Sequence, residues 1–213
     1  MIKYALFLFI SVVAYLMGSL NYSIMFSRAF MNTDIRSKGS GNAGSTNMLR
    51  NYGWKVGVLT LATDFLKTYA ATITAWALCM RYAPDCARTA IALAGLMCAV
   101  GHCYPLYFGF KGGKGVAVGG MTILMVDIRC FLVTVTLFLI CAAIFRYVSL
   151  GSIMGALSFP VSLAFIVDFS NVLDIATYVI SCILVALVVF LHRKNIVRLF
   201  KGTESKLTFK KQE

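Results

Sequence analysis

Residues 38–50 read Lys-Gly-Ser-Gly-Asn-Ala-Gly-Ser-Thr-Asn-Met-Leu-Arg. Glycines at this density let backbone N–H groups converge on one anion. Ser40, Ser45, Thr46 and Asn47 can add side-chain hydrogen bonds, and the fork of Arg50 matches a phosphate bidentately. The bland alternative is a flexible polar loop. Gly39, Gly41 and Gly44 formally match the dinucleotide fingerprint. That motif needs a preceding strand, whereas this one follows an apolar run and a basic linker, so it is rejected.

A second polar segment, residues 101–116, ends Phe-Lys-Gly-Gly-Lys-Gly-Val and leads into a short apolar stretch. Lys111 and Lys114, separated by Gly112 and Gly113 and followed by Gly115, would stand at the N-terminus of that stretch. Free N–H groups and the positive end of a helix dipole make such a point attractive to phosphate. The spacing is one residue short of a Walker loop, and Val116 stands near the place of its magnesium-binding hydroxyl. The alternative is a basic interfacial anchor.

The third segment runs from His192 to Glu204. In a helix, His192, Asn195 and Arg198 share one face; a routine basic flank of a membrane span is the competing reading. Asp64 and Lys67 lie three apart inside an apolar run. Charge at membrane depth is expensive, and mutual pairing with a structural role is the favoured reading.

These segments need elements to hold them, and composition says which. Of 213 residues, 60% are apolar and 13% charged, with a mean hydropathy of +0.82. A soluble fold of this size cannot hide that much apolar surface. Spans of about 20 residues are expected at 4–26, 56–80, 88–108, 129–145, 147–167 and 172–191. Residues 115–126 are apolar but short.

Charge settles parity. The stretch 27–55 carries Arg28, Arg36, Lys38, Arg50 and Lys55 against Asp34, and the chain beyond 192 is also basic. Both are cytoplasmic by the positive-inside rule. The N-terminus is then outside, and an odd number of crossings makes 115–126 the seventh. Arg81 and Arg88 beside an outer loop are exceptions. The expected fold class is all-α, a polytopic integral membrane protein of about seven helices. Residues 1–207 form a single domain, with a short basic cytoplasmic tail at 208–213.

Other classes fall away. The net charge of +12 alternates with spans rather than forming a soluble basic face, so nucleic acid is not an expected partner. Seven cysteines without CxxC spacing and two histidines suggest neither a disulfide framework nor a metal site. Eight acids without a clustered pair argue against metal-dependent phosphotransfer. A phosphate or organic-anion transporter would need more polar residues within the spans. A scaffold binding anionic lipid through its basic loops would be indifferent to Ser40 and Asn195.

In order, Gly39-Ser-Gly-Asn-Ala-Gly-Ser-Thr-Asn47 with Arg50, Gly101-His102 with Phe110-Lys-Gly-Gly-Lys-Gly-Val116, and His192, Asn195, Arg198 and Glu204 make a pattern. It resembles the bacterial acyl-phosphate:glycerol-3-phosphate acyltransferase family over most of the chain. Ala43 replaces the usual proline, Ser45 the usual alanine and Val118 a common threonine.

The resemblance implies acyl transfer from acyl phosphate to the sn-1 hydroxyl of glycerol 3-phosphate. The products would be lysophosphatidic acid and phosphate, in the first step of phospholipid synthesis at the bacterial plasma (inner) membrane. Ser40, Arg50, Lys114, His192 and Asn195 would be catalytic. Gly39, Gly41, Asn42, Thr46, Asn47, Lys111, Gly112, Gly113 and Gly115 would bind substrate, and Asp64, Lys67 and Glu204 would be structural. No cofactor or metal is implied. The partners would be the two substrates, the lipid bilayer and the enzyme that forms acyl phosphate. Neither histidine has an aspartate five residues later: position 107 is Tyr and 197 is Val. The proton acceptor is therefore either His192 or the donor's own phosphate.

Overall fold

Apolar runs become helices throughout residues 2–206, the part of the chain that the computed structural model describes. The expected tail at 208–213, and residue 207 before it, lie outside the described residues. The helices are α1 (Ile2–Gly18), α2 (Tyr22–Met31), α3 (Ser45–Tyr52), α4 (Trp54–Tyr82) and α5 (Ala87–Cys103), then α6 (Val116–Val126), α7 (Ile128–Phe145), α8 (Val148–Ala164), α9 (Val172–Leu191) and α10 (Arg193–Phe200). No strand occurs among the described residues.

Four helical stretches are long and apolar enough to cross a bilayer: Ile2–Met31, Pro84–Phe108, Ile128–Phe145 and Val172–Leu191. Val116–Val126 and Val148–Ala164 are apolar but shorter. Helix α4 has the length, at 29 residues, but carries Asp64 and Lys67.

Within the expected span at 4–26 the helix breaks: α1 stops at Gly18 and α2 starts at Tyr22. Gly18 lies so close to α5 that a Cβ there would stand 2.2 Å from the Cys98 carbonyl oxygen. Asn21 then caps the new helix, its side-chain oxygen accepting from the Ile24 amide at 3.2 Å.

Helix α5 is the hub, packed against α1, α4, α6 and α9. Small residues allow this: Ala90, Ala94, Cys98 and Ala99 are fully buried. Helices α7 and α8 form a close pair, with Gly151 of α8 against the Phe138 carbonyl and Gly155 against that of Thr134.

The C-termini of α1, α5, α7 and α9 and the N-termini of α4, α6 and α8 share one end of the bundle, where Gly101 packs on Tyr15 and Ser149 bonds Glu204 beyond α9. At the other end Arg88 pairs with Asp174 at 3.7 Å and Lys3 with Asp85. The two arginines that break the charge rule are thus reduced to one without a local carboxylate of this kind, Arg81, whose guanidinium lies over the Tyr82 ring.

Candidate active site

At the basic end, the 32–44 loop must be held in shape before it can hold anything else. Asn47, 3% exposed, does this with one amide. Its nitrogen donates to the carbonyls of Ile35, Lys38 and Asn42 at 3.0–3.3 Å, and its oxygen accepts from the Ser40 amide at 3.2 Å. Asn51 supports that oxygen from one turn further on, at 3.0 Å. Gly39 and Gly41 take left-handed backbone, φ 54° and 71°, which bends the loop around this amide.

A second set of bonds locks this loop to the turn between α5 and α6. Arg36 forks onto Asp34 at 2.8 and 3.0 Å and reaches the carbonyls of Phe108 and Lys111 at 2.7 and 3.0 Å. The Arg36 guanidinium holds the Asp34 carboxyl well below the usual carboxylate range, with Arg28 adding to the effect. Asn21 donates to both the Ala43 and the His102 carbonyls at 3.4 Å. Gly113 passes between the His102 ring and the Ala43 carbonyl: a Cβ there would meet His102 Nε2 at 2.1 Å and the Ala43 oxygen at 2.6 Å.

Beneath both loops lies the expected Asp64–Lys67 pair, Oδ1 to Nζ 2.8 Å, each side chain 2% exposed. The Lys67 ammonium also reaches the carbonyls of Gly18 and Leu20 at 3.2 and 2.9 Å and His102 Nδ1 at 3.1 Å. Lys67 therefore caps the broken end of α1 while Asp64 serves as its counter-ion.

The third segment folds over the opening. His192 ends α9, its Nδ1 donating to the Val188 carbonyl at 2.7 Å, which leaves Nε2 as an acceptor when the ring is neutral. Burial pushes its pKa down to about 4. Asn195 and Arg198 both turn to Glu204, 2.7 Å from each, and Ser149 at the start of α8 donates to the same carboxylate at 2.8 Å. Lys114 donates to the Asn195 oxygen, and Arg50 to the Ser205 carbonyl at 3.2 Å. Burial pushes Lys114 down to about 8; Glu204 opposes this, and Arg198 and Arg50 reinforce it.

One cavity of about 730 Å³ joins these groups. Its polar end is lined by Gly39, Ser40, Asn42, Thr46, Arg50, Lys114, Gly115, His192, Asn195 and Glu204. The first turns of α3, α6 and α8 line the same end, so three helix N-termini add positive potential to the cations. From there the cavity runs on as an apolar trough between α6, α7, α8 and α9, past Val135 and Phe138 to Phe131, Phe159 and Leu184.

The sequence-derived candidates divide accordingly. Asp64 touches the wall, as does Asn47, although the Asn47 amide is engaged within its own loop. Gly41, Lys67, Lys111, Gly112 and Gly113 lie outside the wall, and Lys111 is exposed. Sequence reading missed Asn21, Arg36 and Ser149. Asn21 had a signal, a glycine stop followed by an N-cap residue; Ser149 had none.

The sequence profile of the glycerol-3-phosphate acyltransferase family matches residues 8–202. The chain belongs to this family. A glycerol-3-phosphate acyltransferase of Chlorobaculum tepidum is 35% identical, over 95% of this chain and 97% of its own. That of Clostridioides difficile is 37% identical, over 97% and 98%. The fold matches the crystal structure of PlsY (YgiH), an integral membrane glycerol 3-phosphate acyltransferase, in its glycerol 3-phosphate form. The TM-score is 0.84 at 32% identity, over 95% of this chain and 96% of that one. Its lysophosphatidic acid form matches with a TM-score of 0.80 at 31% identity. This acyltransferase is thus an integral membrane protein of the PlsY type, with a cavity that joins a cationic polar end to an apolar trough.

Proposed function

We propose that the protein transfers an acyl group from acyl phosphate to the sn-1 hydroxyl of glycerol 3-phosphate. The supporting observation is the single cavity, cationic at one end and apolar along the rest. Both substrates carry phosphate and one carries an acyl chain. The two phosphates lie at the polar end, held by Ser40, Arg50, Lys114 and the helix N-termini, and the acyl chain lies in the trough.

The hydroxyl oxygen of glycerol 3-phosphate attacks the acyl carbon. The bond from that carbon to the phosphate oxygen breaks, and phosphate leaves with the bonding pair. His192 Nε2 and Asn195 orient the hydroxyl. An imidazole with a pKa near 4 is a weak proton acceptor. In this reading the departing phosphate, the more basic of the two, takes the proton. Arg50 and Lys114 stabilise the charge that develops on the carbonyl oxygen and the leaving group. Asp64, Lys67 and Glu204 hold the loops in place. The donor is already an activated anhydride, so the reaction balances without metal or nucleotide.

The shared end of the bundle carries the basic loops and faces the cytoplasm. Helices α1 and α4–α9 make seven crossings with the N-terminus outside, in the bacterial plasma membrane. Acyl phosphate then reaches the trough from the lipid or from the enzyme that forms it. The test is the position of the acyl group on the product by NMR, with palmitoyl phosphate as donor. An sn-1 ester supports the reading; an sn-2 ester, or no ester, overturns it.

A further inference from the structure

Most glycines in the helices are explained by what a side chain would strike. At Gly95 a Cβ would stand 2.1 Å from Thr122 Cγ2, and at Gly101 2.2 Å from the Tyr15 carbonyl oxygen. Gly119 has no such reason. It lies inside α6, is buried, and a Cβ built on it meets no atom within 4 Å. A mid-helix glycine weakens its helix, and here no neighbour demands it. The space it leaves belongs to the cavity, whose wall includes Gly119.

Its depth matters. Gly119 is one turn beyond Gly115, about 6 Å below the polar end. The trough continues to a floor of Ile123, Phe131, Phe159 and Leu184. Phe159, with no exposed surface, is about 15 Å along α8 from Ser149. That is about half of a 30 Å hydrocarbon core, the length of a chain filling one leaflet.

We propose that Gly119 is a specificity-determining residue: its missing side chain keeps the trough open past the first turn of α6, so that long acyl chains reach the Phe159 floor. This rests on the reading of the trough as the acyl site. A side chain at 119 blocks the trough partway down. Short chains, which end above it, are still accepted.

The test uses the full-length protein in detergent with octanoyl phosphate and palmitoyl phosphate as donors. The readout is the ratio of their kcat/KM values. In Gly119→Leu the octanoyl-to-palmitoyl ratio rises by at least roughly tenfold over wild type. Gly119→Val, which adds fewer atoms, shifts it in the same direction by less. Unchanged ratios in both variants, or parallel loss of both donors in both, overturn the proposal while leaving the acyltransferase reading intact. A wild-type protein that uses neither donor overturns both.

Discussion

Asn195 donates its amide to Glu204 at 2.7 Å while its side-chain oxygen receives Lys114. One side chain thus ties the start of α10 to the turn before α6, and the carboxylate of Glu204 gathers Arg198 and Ser149 to the same point. Residues from 114 to 204 meet here, although each local stretch reads as an ordinary basic flank.

Removing that carboxylate leaves three donors without their acceptor. Glu204→Ala is expected to lose about 2–3 kcal/mol of stability, seen as a lower Tm in detergent. The pH dependence follows from direction. Burial raises the Glu204 pKa, but bonds from Arg198, Asn195 and Ser149 outweigh it and bring the folded value below the ordinary 4.5. The contribution is therefore fully present above pH 4.5 and is lost as pH falls through the lowered folded value. Wild type should lose stability across that acid range more steeply than Glu204→Gln.

Lys114 works on the opposite side of neutrality. With its pKa at about 8, it carries its charge at pH 7 and loses it between pH 7 and 9. The KM for glycerol 3-phosphate should rise over that interval in wild type. Lys114→Arg stays charged and should flatten the rise. Lys114→Ala should lower kcat/KM by roughly 100-fold at pH 7.

The Asp64–Lys67 pair lies buried beneath the loops. Breaking a buried pair strands a charge, so Asp64→Asn and Lys67→Met should each lower stability by about 3–5 kcal/mol. The double variant should lose less than the sum of the two, because neither charge is then stranded. A double-mutant cycle of unfolding free energies in detergent reads the difference. Additive losses would mean the two side chains act independently.

Gly113 sets the distance between the two loops. Gly113→Ala forces His102 Nε2 and the Ala43 carbonyl away from a Cβ that would stand 2.1 and 2.6 Å from them. The expected result is a rise of roughly 10- to 100-fold in KM for glycerol 3-phosphate, together with a lower Tm, because a buried ring and a backbone carbonyl must both move. Steady-state kinetics at saturating donor measure it.

Much of this site is legible in the sequence because each part is local. The glycine-rich loop, the two lysines flanking Gly112 and Gly113, and the 192–204 helix end each stand out from residue type and spacing alone, and parts of all three line one cavity. The break after Gly18 carries only a local signal, a glycine stop with an N-cap residue at Asn21, because Ser19 and Asn21 interrupt the apolar run too briefly to end a hydropathy window. Ser149 was hidden because its partner is 55 residues away, and no local pattern records such a pairing. The internal use of the Asn47 amide was equally invisible: a loop residue that binds a ligand and one that shapes the loop have the same type and spacing.

The most direct measurement is product and phosphate release by the purified protein, given palmitoyl phosphate and glycerol 3-phosphate with chelator present. Palmitoyl-CoA and palmitoyl acyl carrier protein are supplied in parallel reactions. Lysophosphatidic acid and inorganic phosphate should appear in equal amounts from palmitoyl phosphate alone, and Arg50→Ala should abolish both. Product from a thioester only, or phosphate released without lysophosphatidic acid, would contradict a cavity that aligns acyl phosphate with the glycerol hydroxyl.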